Sequence, residues 1–471
     1  MEPISAQATF RKVYDPGNFF DEGISADGSI RDRYLDVLNS VCADPADALA
    51  RSKHLVHERE ILFGKGEANQ DFVLDPIPRI IEAEEWAQLE RGLEQRARAL
   101  NALLADVYGE RRIVSEGVIP ERVINGAEYL EPEMNGLVGE NAATVVGFDL
   151  VRDRDGRFLV LEDNSRTPSG MAYAVAARKV SDELLGEAAA SAQPLDSVFD
   201  WLSDAVREAA PEGVDDPAVV LLSDGPVNSA WYEHVQLARR LGIPLVQPGD
   251  VEVSGKKLVY RDEQATLRRA DVVLRRTDAD RITEPGEGIT WVGEKLYGPL
   301  RSGKLRMVNT FGSGLADDKL VYAYIPEAIR FYLGEEPLVG QIPTLDCAKD
   351  ASLERVIRSP QELVVKPRSE SGGVGVVVGS QATPEELAAC VDLVTRSPKD
   401  YIAQEIVSIS TCPTVVDDAV EPRHVDLRAF AVCGKEKVRL MPGGLTRVAL
   451  RKGSLVVNSS QGGGGKDTWV V

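Results

Sequence analysis

A mixed α/β (α+β) fold with more than one unit is predicted for this 471-residue chain. Three observations carry the prediction. Residues 1–140 read as mainly helical, a strand–turn–helix–strand unit begins near residue 217, and strands dominate from 363 to the end. The length exceeds what one ordinary core needs, so several domains or one composite core are expected. An apolar content of 43% with 27% charged residues is that of a soluble globular chain.

The elements follow in order. Residues 83–108 repeat Leu89, Leu93, Leu100, Leu103, Leu104 and Val107 at three-to-four spacing before Gly109, which predicts a helix packed by one face. Residues 145–165 predict a β-hairpin, because TVVGFDLV and RFLVLED flank Asp155-Gly156, a type I′ turn signal. A helix is predicted over 181–209. The run AVVLLSDG predicts a buried strand, NSAWYEHVQLARRLG an amphipathic helix ending at Gly242, and IPLVQ the next strand. That order implies a parallel, Rossmann-like layer. ADVVLRR and LRMVNT add strands, and Asp317–Tyr332 a helix. From 363 onward ELVVKP, GVVVG, YIAQEIV, HVDLRAFAVCG, KVRLMPG, TRVAL and SLVVN read as strands, with a helix at 384–396.

Composition limits function. A formal net charge of −21 argues against nucleic-acid and anionic-membrane binding, which need a basic footprint. No run approaches about 18 consecutive apolar residues, so no membrane helix is expected. MEPISAQATFRKVYD lacks an apolar leader and reads as cytoplasmic sequence. Cys42, Cys347, Cys390, Cys412 and Cys433 are scattered and read as buried free thiols. His54 and His57 read as helix-surface residues, because HLVHERE lacks the H-E-x-x-H order.

The hairpin places acids together. With a two-residue turn at Asp155-Gly156, paired positions sum to 311, so Asp149 faces Glu162. Opposed side chains share a face with Cβ atoms about 4.5–5.5 Å apart, and Asn164 lies on that face by alternation. Asp149, Glu162 and Asn164 form an all-oxygen set suited to Mg²⁺. Asp153, Asp155 and Asp163 read as turn or opposite-face residues.

A second constellation reads as a phosphate clamp. ELVVKPRSESGGVGVVVG is strand, loop, strand, with Lys366 at the first strand's end as a point charge. Ser369 and Ser371 add hydroxyls, and Gly372, Gly373 and Gly375 let backbone amides approach phosphate. QGGGGKDT mimics a P-loop with the wrong spacing, and GSGLAD lacks the third glycine of a dinucleotide fingerprint. The terminal glycine run 462–465 reads as a flexible loop near the site, or a disordered tail. Ser169 and Gly170 are placed for a backbone nest toward an acceptor substrate. Asn228 and Ser229 follow a strand of the parallel layer, where ligands bind; a helix cap at Asn228 is the alternative.

In ATP-grasp ligases such as D-alanine–D-alanine ligase, a V-K-P segment with its glycine loop precedes an E-x-N segment. Here E-x-N comes first. The chain resembles the circularly permuted ATP-grasp family, similar in layout to glutathionylspermidine synthetase, along nearly its full length. Matching stretches include GFDLVRDRDGRFLVLEDNSRTPSG, GLADDKLVYAYIPEAIRFYLGEEP, ELVVKPRSESGGVG and EPRHVDLRAF. The hinge reads AQEIV where AQPTV is more usual in the family.

The resemblance implies an ATP-dependent ligase that joins a carboxylate to an amine through an acyl phosphate. The cofactors implied are ATP and Mg²⁺, one or two ions, with Mn²⁺ able to substitute. Gln404 and Glu405 fall on the adenine-reading hinge strand, and Lys319 opens a helix as a family Asp-Lys segment does, toward phosphate or solvent. Arg447 is the first choice to stabilise the transferring phosphoryl group, and Arg428 the second. Asp426 and Arg428 share a strand face, and a structural ion pair is the alternative there. The units expected are a helical region at 1–140, the metal hairpin and helix at 141–210, a pre-ATP-grasp α/β substrate domain at 211–345, and the nucleotide-binding and central-sheet region at 346–471. Small-molecule or peptide substrates are expected, with no nucleic acid and no membrane. A phosphotransferase without ligation and a non-catalytic nucleotide-binding assembly protein remain alternatives.

Overall fold

A computed structural model describes residues 14–284, 286–369, 375–454 and 463–471. Its centre is a nine-stranded sheet. In spatial order the main path runs Gly340–Gln341, Phe158–Asn164, Val145–Arg152, Ala419–Cys433, Leu445–Val448, Gly464–Val470 and Leu74–Ile81. Thr411–Val416 and Val438–Leu440 also pair with the long strand Ala419–Cys433. The hairpin from the first third of the chain is thus embedded among strands from its end. A reversed motif order requires that placement.

Two smaller sheets flank this one. Thr344–Asp346, Tyr401–Glu405, Leu363–Pro367 and Val377–Val378 form an antiparallel sheet in that order. Helices Asp350–Arg358 and Pro384–Arg396 cover it, enclosing a core of their own that includes Val356, Leu363, Val365, Val394 and Ala403. The second is parallel, ordered Arg306–Val308, Val272–Arg275, Val219–Leu222 and Leu245–Val246. Among the described residues no helix is long and apolar enough to cross a membrane.

Several elements differ from the sequence reading. The stretch read as helical contributes an edge strand, Leu74–Ile81, buried throughout. It carries Pro76 and Pro78, which an edge tolerates because alternate residues turn their missing N–H groups to one side. Residues 181–209 form no single helix. Met171–Leu185 ends at Gly186, whose φ is 54°, and a new helix covers Ser197–Glu208. The Asp317–Tyr332 helix is split into Lys319–Tyr322 and Ile325–Leu333, with Pro326 opening the second piece. Gly464 and Gly465, expected in a loop, begin the buried strand Gly464–Val470; Gly462 lies outside the described residues. SLVVN likewise lies almost wholly outside them. Lys466 of the P-loop mimic is fully buried, bonded to Asp75, to Ile77 O at 3.0 Å and to Pro413 O at 2.8 Å.

Candidate active site

The hairpin delivers the first half of the site. Asp149 lies directly opposite Glu162, and Gly147 opposite Asn164. The turn that produces this register is not the two-residue one. Asp153 N donates to Arg157 O at 2.9 Å, Gly156 N donates to Asp153 O at 3.0 Å, and Gly156 has φ 82°. This is a three-residue loop closed by a left-handed glycine. It shifts the pairing by one residue, and a β-bulge between Val160 and Glu162 shifts it back. Alternation turns Asp163 to the far face, where Arg96 donates two hydrogen bonds of 2.7 Å to it.

The neighbouring strands continue the row. Arg428 lies directly opposite Asp149, and Asp426 opposite Arg447. Arg428 donates from Nε and Nη2 to the two Asp149 oxygens at 2.6 and 2.7 Å. Arg447 Nη2 reaches Asp149 at 2.8 Å, and Arg447 also makes two bonds to Asp426, the Nε one at 2.8 Å. Ion pairing therefore runs across strands, and Asp426 and Arg428 of one strand do not bond each other. Directly opposed side chains are closer than neighbours two apart on a strand, which favours the cross-strand partner. Burial pushes the Asp149 carboxyl up, but the two guanidiniums outweigh it and bring it to about 2. At Asp426 burial wins over Arg447 and the pKa rises, with the Asp149 charge adding to it. Arg447 is driven up by both carboxylates against its own burial.

This bonding decides how a cation fits. Asp149 accepts three arginine N–H groups, leaving roughly one of a carboxylate's four acceptor positions. Glu162 is 39% exposed and faces the Lys366 ammonium at 4.0 Å. Asn164 keeps its amide nitrogen buried without a partner among the described residues, so no hydrogen bond at that nitrogen fixes its orientation. Among the described residues no group of three or more His, Cys, Asp or Glu is arranged to hold a metal ion. The donors fit a hard cation held by Glu162 and Asn164, the rest of its shell coming from phosphate and water oxygens.

The second half comes from the antiparallel sheet. Lys366 is the penultimate residue of the strand Leu363–Pro367 and is 8% exposed. Burial lowers its pKa; the nearby Glu162 and Asp149 charges oppose this, while Lys319 reinforces it. Gly375 closes the loop with φ 68°, and a Cβ there would sit 2.7 Å from Pro367 Cγ. Ser369 lines the cavity, whereas Ser371, Gly372 and Gly373 lie outside the described residues. Gln404 donates to Thr344 Oγ1 at 3.0 Å, and Glu405 is paired with Arg355 at 2.9 Å. Both line the same cavity, whose apolar walls include Ile342, Val364, Val376, Val378 and Ile406.

Its volume is about 320 Å³, and Asp149, Glu162, Asn164, Lys319, Lys366, Gln404, Glu405, Arg428 and Arg447 all face it. A second cavity of about 410 Å³, bounded by residues 137–144, the end of Ser197–Glu208 and Gly434, shares no wall with the first and holds none of these residues.

The expected substrate contacts lie elsewhere. Gly170 N and Ala172 N both donate to Glu233 at 2.9 Å, so a protein carboxylate already fills that nest. Ser169 Oγ accepts from Arg276 at 2.7 Å, and Arg276 also pairs with Glu233. These bonds fasten the turn after E-x-N to the parallel layer. Asn228 Oδ1 accepts from Ala230 N at 3.0 Å in a local turn ahead of the helix Trp231–Leu241, whose N-cap is Ala230 with no side-chain cap bond, so the expected cap at Asn228 is not formed, and neither Asn228 nor Ser229 faces the cavity.

Tyr129, Arg166 and Arg368, not singled out from sequence, also line the site, as does Asp317 of the Asp-Lys segment. Arg368 is held by Asp318 at 2.7 and 2.9 Å and by Val123 O. Arg166 follows Glu162 and Asn164 at the same two-residue interval, a signal that the turn residues beside it concealed.

A family model described as circularly permuted ATP-grasp type 2 matches residues 78–449. The chain is 42% identical over 470 residues to a putative glutamate–cysteine ligase of Frankia alni, covering 97% of this chain and 54% of that protein. It thus spans about half the length of that relative and of a similar one from Frankia casuarinae. An uncharacterised Synechocystis protein is 40% identical over 480 residues, covering 97% of this chain and 98% of its own length. Among solved structures, a glutathione synthetase-like effector from Globodera pallida has a TM-score of 0.61 at 12% identity, covering 91% of this chain and 97% of that one, a likeness of fold.

Proposed function

The chain belongs to the circularly permuted ATP-grasp type 2 family, and from that premise we propose that it is an ATP- and Mg²⁺-dependent carboxylate–amine ligase working through an acyl phosphate. One observation supports the reading above others. Glu162 and Asn164 of the hairpin meet Lys366 of a distant segment around one cavity, with Arg428 and Arg447 beside them. The ligase name of the Frankia relatives supports ligation in general. It belongs to proteins about twice as long, so their amino-acid substrates are not carried over.

In this reading the apolar slot beside Gln404 and Glu405 takes the adenine, and Lys366 sets a positive charge against the phosphates. Glu162 and Asn164 would hold the divalent cation, which neutralises phosphate charge when bound. Arg428 and Arg447 face the reacting carboxylate, and Asp149 holds both guanidiniums in position before charge develops. A carboxylate oxygen attacks the γ-phosphorus and ADP leaves. The amine then attacks the acyl carbon, inorganic phosphate departs with the electron pair of the broken C–O bond and takes up the proton that the nitrogen loses, and an amide forms. Catalysis is positional and electrostatic. ATP as co-substrate points to the cytoplasm.

The test is ADP, phosphate and amide release from Mg²⁺-ATP with panels of small carboxylates and amines. ADP release that needs both partners is expected, falling about a hundredfold or more in Glu162→Ala and Lys366→Ala. Full turnover in either variant overturns the assignment. A phosphorylated product without amide favours the phosphotransferase reading.

A further inference from the structure

We propose that Arg166 anchors a second carboxylate on the acid that the site activates, so that the acid substrate is a dicarboxylate. The inference rests on the ligase reading for which carboxylate reacts; the anion site itself does not depend on it.

Arg166 is built into the cavity wall as a fixed cation. Its ring neighbour is Tyr129, whose face lies 3.8 Å from the guanidinium carbon. Nε donates to Asp317 at 3.2 Å and Nη1 to Asp280 at 3.0 Å. Asp317 is fastened in turn by Ser165, whose hydroxyl donates to it at 2.7 Å. Two half-buried acids and one aromatic face therefore determine the plane of the guanidinium. Nη2 donates no hydrogen bond among the described residues, and the side chain, which lines the cavity, keeps 25% exposure. A guanidinium held in plane with donors to spare is the group best matched to a carboxylate.

The other arginines of the cavity are committed differently. Arg428 and Arg447 fork onto Asp149 and Asp426, and Arg368 onto Asp318. Position adds the rest. Arg166 lies four positions after Glu162, a span of at most about 14 Å. Both ends face one cavity, with Lys366 beside Glu162 at the phosphate end. A diacid that meets the transferring phosphoryl group with one carboxylate would meet Arg166 with the other. A monocarboxylic acid of the same length would leave Nη2 facing an apolar tail. Asp317, Asp280 and Tyr129 are positioning residues in this arrangement.

Succinate and butyrate share a length and differ by one carboxylate, so they are the probes. Binding is measured calorimetrically on the full chain, with and without Mg²⁺ and a non-hydrolysable ATP analogue, whose own affinity is read in the same samples. Wild type is expected to prefer succinate about tenfold or more, and Arg166→Gln to erase that preference while leaving analogue affinity unchanged. Arg166→Gln removes a guanidinium partner from two half-buried acids. Tyr129→Leu therefore serves as a second variant that keeps both ion pairs, with succinate weakened about threefold. Equal binding of the two probes to wild type, no succinate binding, or a preference retained in both variants overturns the proposal. Loss of analogue binding alone defeats the ligase reading and leaves the Arg166 result readable.

Discussion

Among the described residues Asp149 accepts from two arginines and Glu162 from none, although they face each other in the same pair of strands. That asymmetry separates a carboxylate that fixes cations from one open to a metal. A purely structural version of the first kind sits elsewhere. Glu22 is fully buried and accepts from Arg79 at 2.5 Å, Arg152 at 3.1 Å and Ser410 at 2.9 Å, all on one oxygen. Burial pushes its pKa up, but Arg152 and Arg79 pull it from 4.5 to about 2. A depressed folded pKa stabilises the fold above 4.5, and the contribution is lost as pH falls toward about 2. Glu22→Gln is expected to cost on the order of 3 kcal/mol at neutral pH, because two buried guanidiniums lose their counter-charge. In urea titrations the gap to wild type should narrow between pH 4.5 and about 2. A gap independent of pH would refute this account of Glu22.

At the level of elements, the hairpin of residues 145–164 depends on a close approach that only glycine permits. Gly147 lies opposite Asn164, and a Cβ on it would stand 2.8 Å from Pro168 Cβ in the turn that Arg276 and Glu233 hold. Gly147→Ala should destabilise the protein by about 1–3 kcal/mol, seen as a lower urea midpoint at unchanged slope. An unchanged midpoint would show that the turn yields freely. Elements specified by local signals were legible in the sequence. Helix Pro384–Arg396 matches its predicted 384–396 bounds because Thr383 and Glu386 form a capping box around Pro384. The facing of Asp149 and Glu162 was legible too, though by two offsetting shifts, a longer loop and a bulge. Features set by distant partners were not. The strand Leu74–Ile81 is held by Gly464–Val470, and its two prolines disguise it. The Arg428–Asp149 pair needs the register between strands 279 residues apart. The nest at Gly170 is closed by Glu233 from the parallel layer, which no local pattern announces.

On the scale of the whole molecule, permutation moves the chain ends and keeps the sheet. The hairpin enters beside the long strand Ala419–Cys433, and Glu162 and Asn164 meet Lys366 at one cavity despite the reversed order of their segments. The antiparallel unit that carries Lys366 has its own core and faces the central sheet across the cavity. Nucleotide would therefore bind between two packed bodies, one supplying the metal ligands and the other the lysine. The measurement that reaches this claim most directly is the affinity for ATP analogue, with and without Mg²⁺, in wild type, Glu162→Ala and Lys366→Ala. The account predicts Mg²⁺-dependent binding in wild type, loss of the Mg²⁺ dependence in Glu162→Ala, and binding about tenfold or more weaker in Lys366→Ala. Wild-type affinity and wild-type Mg²⁺ dependence in both variants would contradict it.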